Sequence, residues 1–180
     1  MKNGFSLIEL MMAILVLSIV ISLGAPSFSG SIQNNRIKSQ SNAMNGAISF
    51  VRTEAVKRNS SVSMCASSNQ SSCTGNWEQG WIIFDDPDGS GSLTGGETIL
   101  KIGETLAGGN TLRLTGSSTS SITFDNQGRT TSSSTFTFCD DREEAKAIGI
   151  VINVSGQTRR AVDEDGNNIV NSHNGDIACP

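Results

Sequence analysis

The hydrophobic pattern of this chain begins with an uninterrupted apolar run over residues 5–23, in which Glu9 is the only charged side chain. About 19 residues at about 1.5 Å per residue match the thickness of the hydrocarbon core of a bilayer. Gly24 and Pro26 then interrupt the apolar pattern. The pattern predicts a transmembrane helix over residues 5–25, with a carboxylate near its N-terminal end.

A second helical pattern, over residues 26–59, is amphipathic. Its apolar positions recur at intervals of three and four, which places them on one face of a helix, namely Met44, Ala47, Ile48, Val51 and Ala55. The opposite face is polar and mostly basic. Since such a stripe needs an apolar partner, we expect this helix to pack against a folded domain, bent or not at Pro26.

From residue 60 onward the pattern changes to short β-branched and apolar runs separated by Gly, Ser, Asn and Asp. These runs predict strands at 62–66, 81–84, 98–102, 111–114, 121–124, 135–139, 147–154 and 158–162. Asn126-Gln127-Gly128 and Ser155-Gly156 indicate hairpin turns, and a polar tail follows at 163–180. The predicted fold class is α+β: a long N-terminal helix packed on an antiparallel β-sheet domain that comprises residues 60–180.

Composition and charge favour a secreted domain and give no sign of an enzyme. The net charge is −4, aromatic residues make up 5% of the chain and tyrosine is absent. The single histidine, His173, falls in the polar tail, where a catalytic imidazole would lack rigid support. The chain has no P-loop, Rossmann glycine pattern or CxxC pair. We therefore expect neither catalysis nor an organic cofactor.

One loop has the spacing of a calcium ligand set. Oxygen-bearing side chains occur at alternating positions from Asp86 through Asp88 and Ser90, and Glu97 stands at the twelfth position, as in an EF-hand loop. The flanking segments are predicted to be strands, whereas an EF-hand needs helices. An acidic hairpin loop without a metal is therefore the preferred interpretation, and calcium is the alternative.

Four cysteines lie in the β-rich part: Cys65, Cys73, Cys139 and Cys179. They lack the CxxC spacing of a zinc site, and disulfide bonds would place the domain outside the cytoplasm. Four cysteines allow three connectivities, and the short separation of Cys65 and Cys73 leaves a small loop that a disulfide could close.

The N-terminal string Gly4-Phe5-Ser6-Leu7-Ile8-Glu9 resembles the class III signal of type IV prepilins and pseudopilins. A generic membrane anchor would need neither the Gly-Phe boundary nor so short a leader. The resemblance implies that a prepilin peptidase removes residues 1–4, cutting between Gly4 and Phe5, and methylates the new amino group of Phe5. It also implies that Glu9 pairs with this amine, on its own or a neighbouring subunit, and so sets the register of assembly, because an unpaired buried charge is costly.

The rest of the chain resembles the GspH/FimT family of minor pilins and pseudopilins. The segments that carry the resemblance are Cys65 to Cys73, residues 76–84, 85–91, 96–100, 124–129, 139–142 and 156–159. The paired cysteines are more similar to the pilus-associated FimT/FimU members, which implies the bonds Cys65–Cys73 and Cys139–Cys179. Trp77 and Trp81 are expected to serve packing only.

The function implied by this resemblance is that of a minor pilin, which helps to prime a type IV pilus and lies at or near its tip. Its expected partners are other major and minor pilins through the N-terminal helix, the prepilin peptidase, and the inner membrane before assembly at the cell surface. A type II secretion pseudopilin is one alternative. A DNA-binding minor pilin is another; its contacts would be Arg159 and Arg160, although acidic residues at 163–165 oppose phosphate binding.

Overall fold

A computed structural model describes residues 4–180, with only the backbone described at 22–27. Apart from Gly4, the expected leader lies outside the described residues. The chain divides into two compact units, Met1–Asn35 and Arg36–Pro180. Helix α1 spans Leu7–Arg58 and continues through Gly24 and Pro26, where the sequence suggested an interruption. A proline removes one backbone donor, and a long helix can lose a single hydrogen bond without ending.

Asn59 ends helix α1 with a left-handed backbone conformation, at a φ of 53°. The backbone N–H of Ser60 donates to the carbonyl of Ala55, and that of Asn59 donates to the carbonyl of Val56, both at 3.2 Å. This pair of bonds satisfies carbonyls that the last turn would leave free. The chain can therefore turn sharply from the helix into the first strand.

The β-rich part contains two four-stranded antiparallel sheets, which confirms the predicted antiparallel β-sheet domain and divides it into two. Its strands are β1 Val62–Ala66, β2 Trp81–Asp85, β3 Ile99–Gly103, β4 Thr111–Thr115, β5 Ser121–Phe124, β6 Ser134–Cys139, β7 Ile148–Ile152, β8 Thr158–Arg160, β9 Asn171–Ser172 and β10 Gly175–Asp176. The first sheet has the order β3-β2-β1-β5, and the second has the order β4-β6-β7-β8. Strands β9 and β10 form a two-stranded ribbon within the tail. Short 3-10 helices occur at Trp77–Gln79, Ala107–Gly109 and Glu143–Lys146.

The two predicted turns have different outcomes. Ser155 and Gly156 close the β7–β8 hairpin, as expected, with the N–H of Gly156 donating to the carbonyl of Asn153 at 2.8 Å. The turn at Gly128 also exists, but it joins β5 in the first sheet to β6 in the second, so it is not a hairpin. Its local sequence specifies the turn, and the pairing of the flanking strands decides what the turn connects.

The main core joins the apolar stripe of α1 to both sheets. The helix residues that the periodicity singled out are all buried, with exposed fractions of 2% or less: Met44, Ala47, Ile48, Val51 and Ala55. Trp77 and Trp81 belong to the same cluster, in agreement with their expected packing role. The ring of Trp77 meets that of Phe136 edge-on, with the centroids 4.8 Å apart. The cluster thus holds the helix on the sheets.

A second, smaller core lies on the other face of the first sheet. It contains Cys65, Ile82 and Phe84, against which Cys73, Leu93 and Ile99 pack. Successive residues of β1 and β2 alternate between the two clusters, since side chains alternate across a strand. Both faces of these strands are therefore buried, which explains the continuous apolar run at residues 81–84.

Candidate functional site

The N-terminal end of α1 is capped by Ser6. The backbone N–H of Glu9 donates to the side-chain oxygen of Ser6 at 3.3 Å and to its carbonyl at 3.1 Å. Glu9 is therefore the third residue of the helix, in the first turn, where the helix dipole favours a negative charge. Ser6-Leu7-Ile8-Glu9 has the S-x-x-E capping pattern, and this signal in the sequence could have predicted the cap. Phe5 precedes the cap and is 82% exposed.

Apolar side chains are exposed around the whole circumference of α1 between Leu7 and Ile21. Each of the following has more than half of its surface exposed: Leu7, Ile8, Leu10, Met11, Met12, Ile14, Leu15, Val16, Leu17, Ile19, Val20 and Ile21. A surface that is apolar on every side needs an apolar environment, either lipid or other helices. Within the described residues, no helix meets the length and hydropathy needed to cross a membrane.

The structure contains the two disulfide bonds that the family resemblance implied, Cys65–Cys73 and Cys139–Cys179. The first closes the loop after β1, and the backbone N–H of Leu93 donates to the sulfur of Cys73 at 3.4 Å. The second ties the end of the chain to the end of β6. Since each bond ties a loop or the tail to a strand, it restricts a segment with few apolar residues of its own.

The C-terminal tail is ordered, which corrects the expectation of a mobile polar segment. Ile177 is buried against Cys139 and Ala147, and the N–H of Cys179 donates to Glu144 Oε1 at 3.0 Å. His173 also has rigid support, because its Nδ1 lies 2.9 Å from the hydroxyl of Thr135. This hydroxyl also accepts the backbone N–H of His173 at 3.3 Å. The imidazole thus helps to anchor the tail on β6.

The acidic loop between β2 and β3 brings Asp86, Asp88 and Glu97 together, with one oxygen of each within 4.8 Å of the others. Asp86 is fully buried, and protein donors already surround its carboxylate. The N–H groups of Ser90 and Gly91 donate to it at 3.0 and 2.9 Å, and the hydroxyls of Ser63 and Ser90 donate as well. Calcium would have to compete with these donors for the oxygens of Asp86, and its binding here stays a prediction.

Two further carboxylates of the acidic loop organise backbone turns. The N–H of Ser90 also donates to Asp88 Oδ1 at 3.0 Å, and this bond is the main cause that lowers the pKa of Asp88. Glu97 Oε2 accepts the N–H of Thr94 at 2.7 Å. The flanking elements are strands, as expected. The arrangement is that of a loop held by its own acidic side chains.

Arg159 and Arg160 lie on β8, the outer strand of the second sheet. Arg159 Nη2 is 3.6 Å from Glu164 Oε1, and both side chains are at least half exposed. Arg160 Nη2 donates to the hydroxyl of Ser41 on α1 at 3.3 Å. The two arginines therefore differ: one already faces a carboxylate, whereas the other is oriented by a hydroxyl of the helix.

Two family models match the chain and between them cover most of its length. The model described as type II transport protein GspH matches residues 40–156. The model described as a prokaryotic N-terminal methylation motif matches residues 1–25. No curated protein matches the chain.

Three solved structures are similar to this one. Two are crystal forms of the type IV minor pilin FimU from Pseudomonas aeruginosa, both 18% identical to this chain. The first has a TM-score of 0.57, and its alignment covers 71% of this chain and 89% of FimU. The second has a TM-score of 0.54, and its alignment covers 69% of this chain and 92% of FimU. The third is the minor pseudopilin EpsH from the type 2 secretion system of Vibrio cholerae, which is 11% identical to this chain and has a TM-score of 0.48. Its alignment covers 72% of this chain and 99% of EpsH. At such identity the FimU structures show that the fold is shared.

Proposed function

Because the chain belongs to the GspH family of minor pilins and pseudopilins, we propose that it is a minor pilin of a type IV pilus. In this role it helps to prime pilus assembly and lies at or near the tip. The observation that carries the proposal is the apolar segment at residues 7–21 of α1, whose side chains are exposed on every side. Such a segment is suited first to lipid and then to a bundle of subunit helices.

Processing at the N-terminus is the first step of the proposed function. A prepilin peptidase would cut between Gly4 and Phe5 and methylate the amine of Phe5, and the match of residues 1–25 to a methylation motif supports this step. Before assembly, residues 5–25 would anchor the chain in the bacterial inner membrane, with residues 60–180 in the periplasm. After assembly, the same residues would contact other major and minor pilins, and the domain would face outward at the cell surface.

Glu9 is proposed to set the register between subunits. The cut creates a cationic amine at Phe5, one helical turn before the carboxylate of Glu9. When the helices bundle, both charges leave water, and pairing offsets the cost of their desolvation. Glu9 lies in the first turn of α1, directly after the Ser6 cap and four residues from the new amine, which supports this pairing.

The proposed role is one of assembly and not of turnover. The family consists of structural subunits, and the histidine, His173, is committed to anchoring the tail through Thr135. The proposal accordingly includes no catalytic residue and no cofactor.

A type II secretion pseudopilin is the second candidate, because the family model that matches residues 40–156 is described as a type II transport protein. Deleting the gene from its native host separates the two roles. We expect fewer surface pili and unchanged secretion of extracellular enzymes, and the full-length gene should restore the number of pili. Loss of secretion with normal pili would assign the chain to the secretion system.

Mass spectrometry of the protein purified from its host tests the processing step independently. We expect a mature chain that begins at Phe5 and carries one added methyl group. Changing Gly4 to a bulky residue should leave an uncut precursor. A mature chain that begins after Gly24, or an uncut Met1, would contradict the class III signal.

DNA binding through Arg159 and Arg160 remains a narrower proposal. Arg159 already faces Glu164, so only part of this basic pair is available to phosphate. Two phosphate contacts give a shallow salt dependence, of about −2 on logarithmic axes, and weak affinity. Tight binding in gel shifts at physiological salt would favour a DNA-receptor role instead.

A further inference from the structure

Strand β8 leaves one edge of the second sheet open. The backbone N–H of Ala161 donates to the carbonyl of Gly149 on β7 at 2.8 Å, which fixes the phase of the antiparallel ladder. Residues that pair in the alternate register direct their N–H and C=O groups away from the partner strand. Thr158 and Arg160 are these residues, and among the described residues no strand pairs with this edge. The edge therefore offers two N–H and two C=O groups.

A polar groove runs beside this edge, between β8 and helix α1. It consists of two cavities of about 190 and 360 Å³ that share Thr158. Hydroxyl and amide side chains form most of the helix wall, beside Ile48 and Arg52; they are those of Ser41, Asn42, Asn45, Ser49 and Thr53. Amides and hydroxyls can both donate to and accept from a neighbouring peptide. The groove therefore presents hydrogen-bonding groups on both sides.

The charge of the groove selects for carboxylates. Three arginines line the groove, Arg52 on α1 and Arg159 and Arg160 on β8, and none of the described residues that line it is acidic. The groove's own Arg159 contacts a carboxylate, that of Glu164. Arg160 is held by Ser41 and, within the described part of the chain, has no carboxylate at ion-pair distance.

We propose that this groove binds an extended acidic peptide segment of a partner protein, which adds to β8 as a further strand. The backbone of the segment would pair with Thr158 and Arg160, and a carboxylate side chain would bind Arg160. Main-chain bonds supply affinity and side-chain contacts supply selectivity in such strand addition. This surface is distinct from the assembly helix and does not depend on the proposed function.

The probe is a fluorescent peptide of about eight residues in which Glu and Val alternate, titrated against the full-length chain in detergent. Thr158→Pro removes an outward N–H without removing a bond to β7, and Thr158→Val is its matched control. Arg160→Gln removes the charge, and Arg129→Gln is the control on an exposed arginine that pairs with Asp125 outside the groove. Thermal unfolding verifies that each variant is folded.

We expect Thr158→Pro and Arg160→Gln each to weaken binding at least tenfold, and both controls to stay within twofold of wild type. The backbone amide resonances of Thr158 and Arg160 in the unaltered chain should shift on addition of the peptide. Equal binding of a Lys-Val peptide, or full binding by Thr158→Pro, would overturn the proposal. Binding of a single-stranded oligonucleotide but not of the acidic peptide would also overturn it and assign the groove to nucleic acid.

Discussion

Trp81 and Gly103 face each other across β2 and β3, and the indole covers the glycine so closely that a side chain has no room. A Cβ added at Gly103 would lie 1.9 Å from Cε2 of Trp81. Gly103→Ala should therefore displace the indole and lower the free energy of unfolding by about 1–3 kcal/mol, as overpacking does. Chemical denaturation measures the change.

The control for this substitution is Gly95→Ala in the loop between the same two strands. A Cβ at Gly95 meets nothing within 4 Å, so its effect on the unfolding free energy should be small. If Gly103→Ala unfolds at the same denaturant concentration as wild type, the indole of Trp81 does not pack on Gly103 as closely as described.

Asp140 should make stability depend on pH in the acid range. Its side chain is 3% exposed, and hydrogen bonds from the guanidinium of Arg142 are the main cause that lowers its pKa below the ordinary 3.8. Because the pKa is lower in the folded state, the carboxylate stabilises the fold fully at pH values above its pKa in the unfolded chain. This stabilisation is lost as the pH falls through its pKa in the folded protein. The contribution should therefore fade from about pH 4 downward.

Asp140→Asn tests this linkage by urea unfolding at a series of pH values. The variant should lose about 1–3 kcal/mol at pH 7, since it removes the buried carboxylate that accepts hydrogen bonds from the guanidinium of Arg142. Its stability should also fall less steeply in acid. Glu104→Gln, at an exposed position, serves as the control. If the unfolding free energy of Asp140→Asn falls with decreasing pH as steeply as that of wild type, the carboxylate of Asp140 does not cause the loss of stability in acid.

The disulfide Cys139–Cys179 should control the order of the tail. Replacing both cysteines with serine should speed hydrogen exchange across residues 163–178 more than in the sheets and cost about 2–4 kcal/mol of stability. Replacing Cys65 and Cys73 should instead loosen the loops around residues 67–76 and 86–98. Non-reducing peptide mapping should recover both pairs, and a Cys65–Cys139 peptide would contradict this connectivity.

Glu9→Val should separate membrane insertion from assembly. Without the carboxylate the segment inserts at least as well, because a charge is no longer desolvated, but the Phe5 amine loses its partner and fewer pili should form. Ser6→Ala is the matched control: it removes the helix cap, worth about 1 kcal/mol, and keeps the charge. Normal pilus numbers in Glu9→Val would refute the register role.

Asp86 should stabilise its loop with or without calcium. Its buried carboxylate accepts hydrogen bonds from Ser63, Ser90 and Gly91, and Asp86→Asn should therefore lower the melting temperature in chelator and in calcium alike. Asp88→Asn, at the exposed end of the cluster, should have the smaller effect. A melting temperature that rises by several degrees with calcium in wild type, but not in Asp86→Asn, would instead establish a calcium site.

The bounds of β1 to β8 could be predicted from the sequence to within two residues, whereas the short strands β9 and β10 and the pairing of all the strands could not. Period-2 runs bounded by Gly, Ser and Asn define where β1 and β5 begin and end. The partner of each strand is set by contacts far apart in sequence, such as Val62 with Phe124, which no local pattern encodes. This is why the sequence predicts an antiparallel β-sheet domain but not its division into two sheets.

The candidate sites divide in the same way. Gly4, Phe5 and Glu9 form a local pattern that is visible in the sequence, and the acidic loop is another. The groove depends on Arg160 meeting Ser41, and these residues are 119 positions apart. The order of the tail was missed because Ile177 and Cys179 contribute little hydrophobic signal until the fold brings them to Cys139.

The outer core of Cys65, Ile82 and Phe84 has an evolutionary consequence. Because the first sheet separates it from the cluster that holds the helix, the loops it supports can diverge without disturbing the helix-facing side. A lineage could thus change the loops on this surface and still keep the packing of the helix on the sheets. The residues that must be kept are the Cys65–Cys73 disulfide and the side chains of β1 and β2 that form the smaller core. The length and charge of the loops can vary.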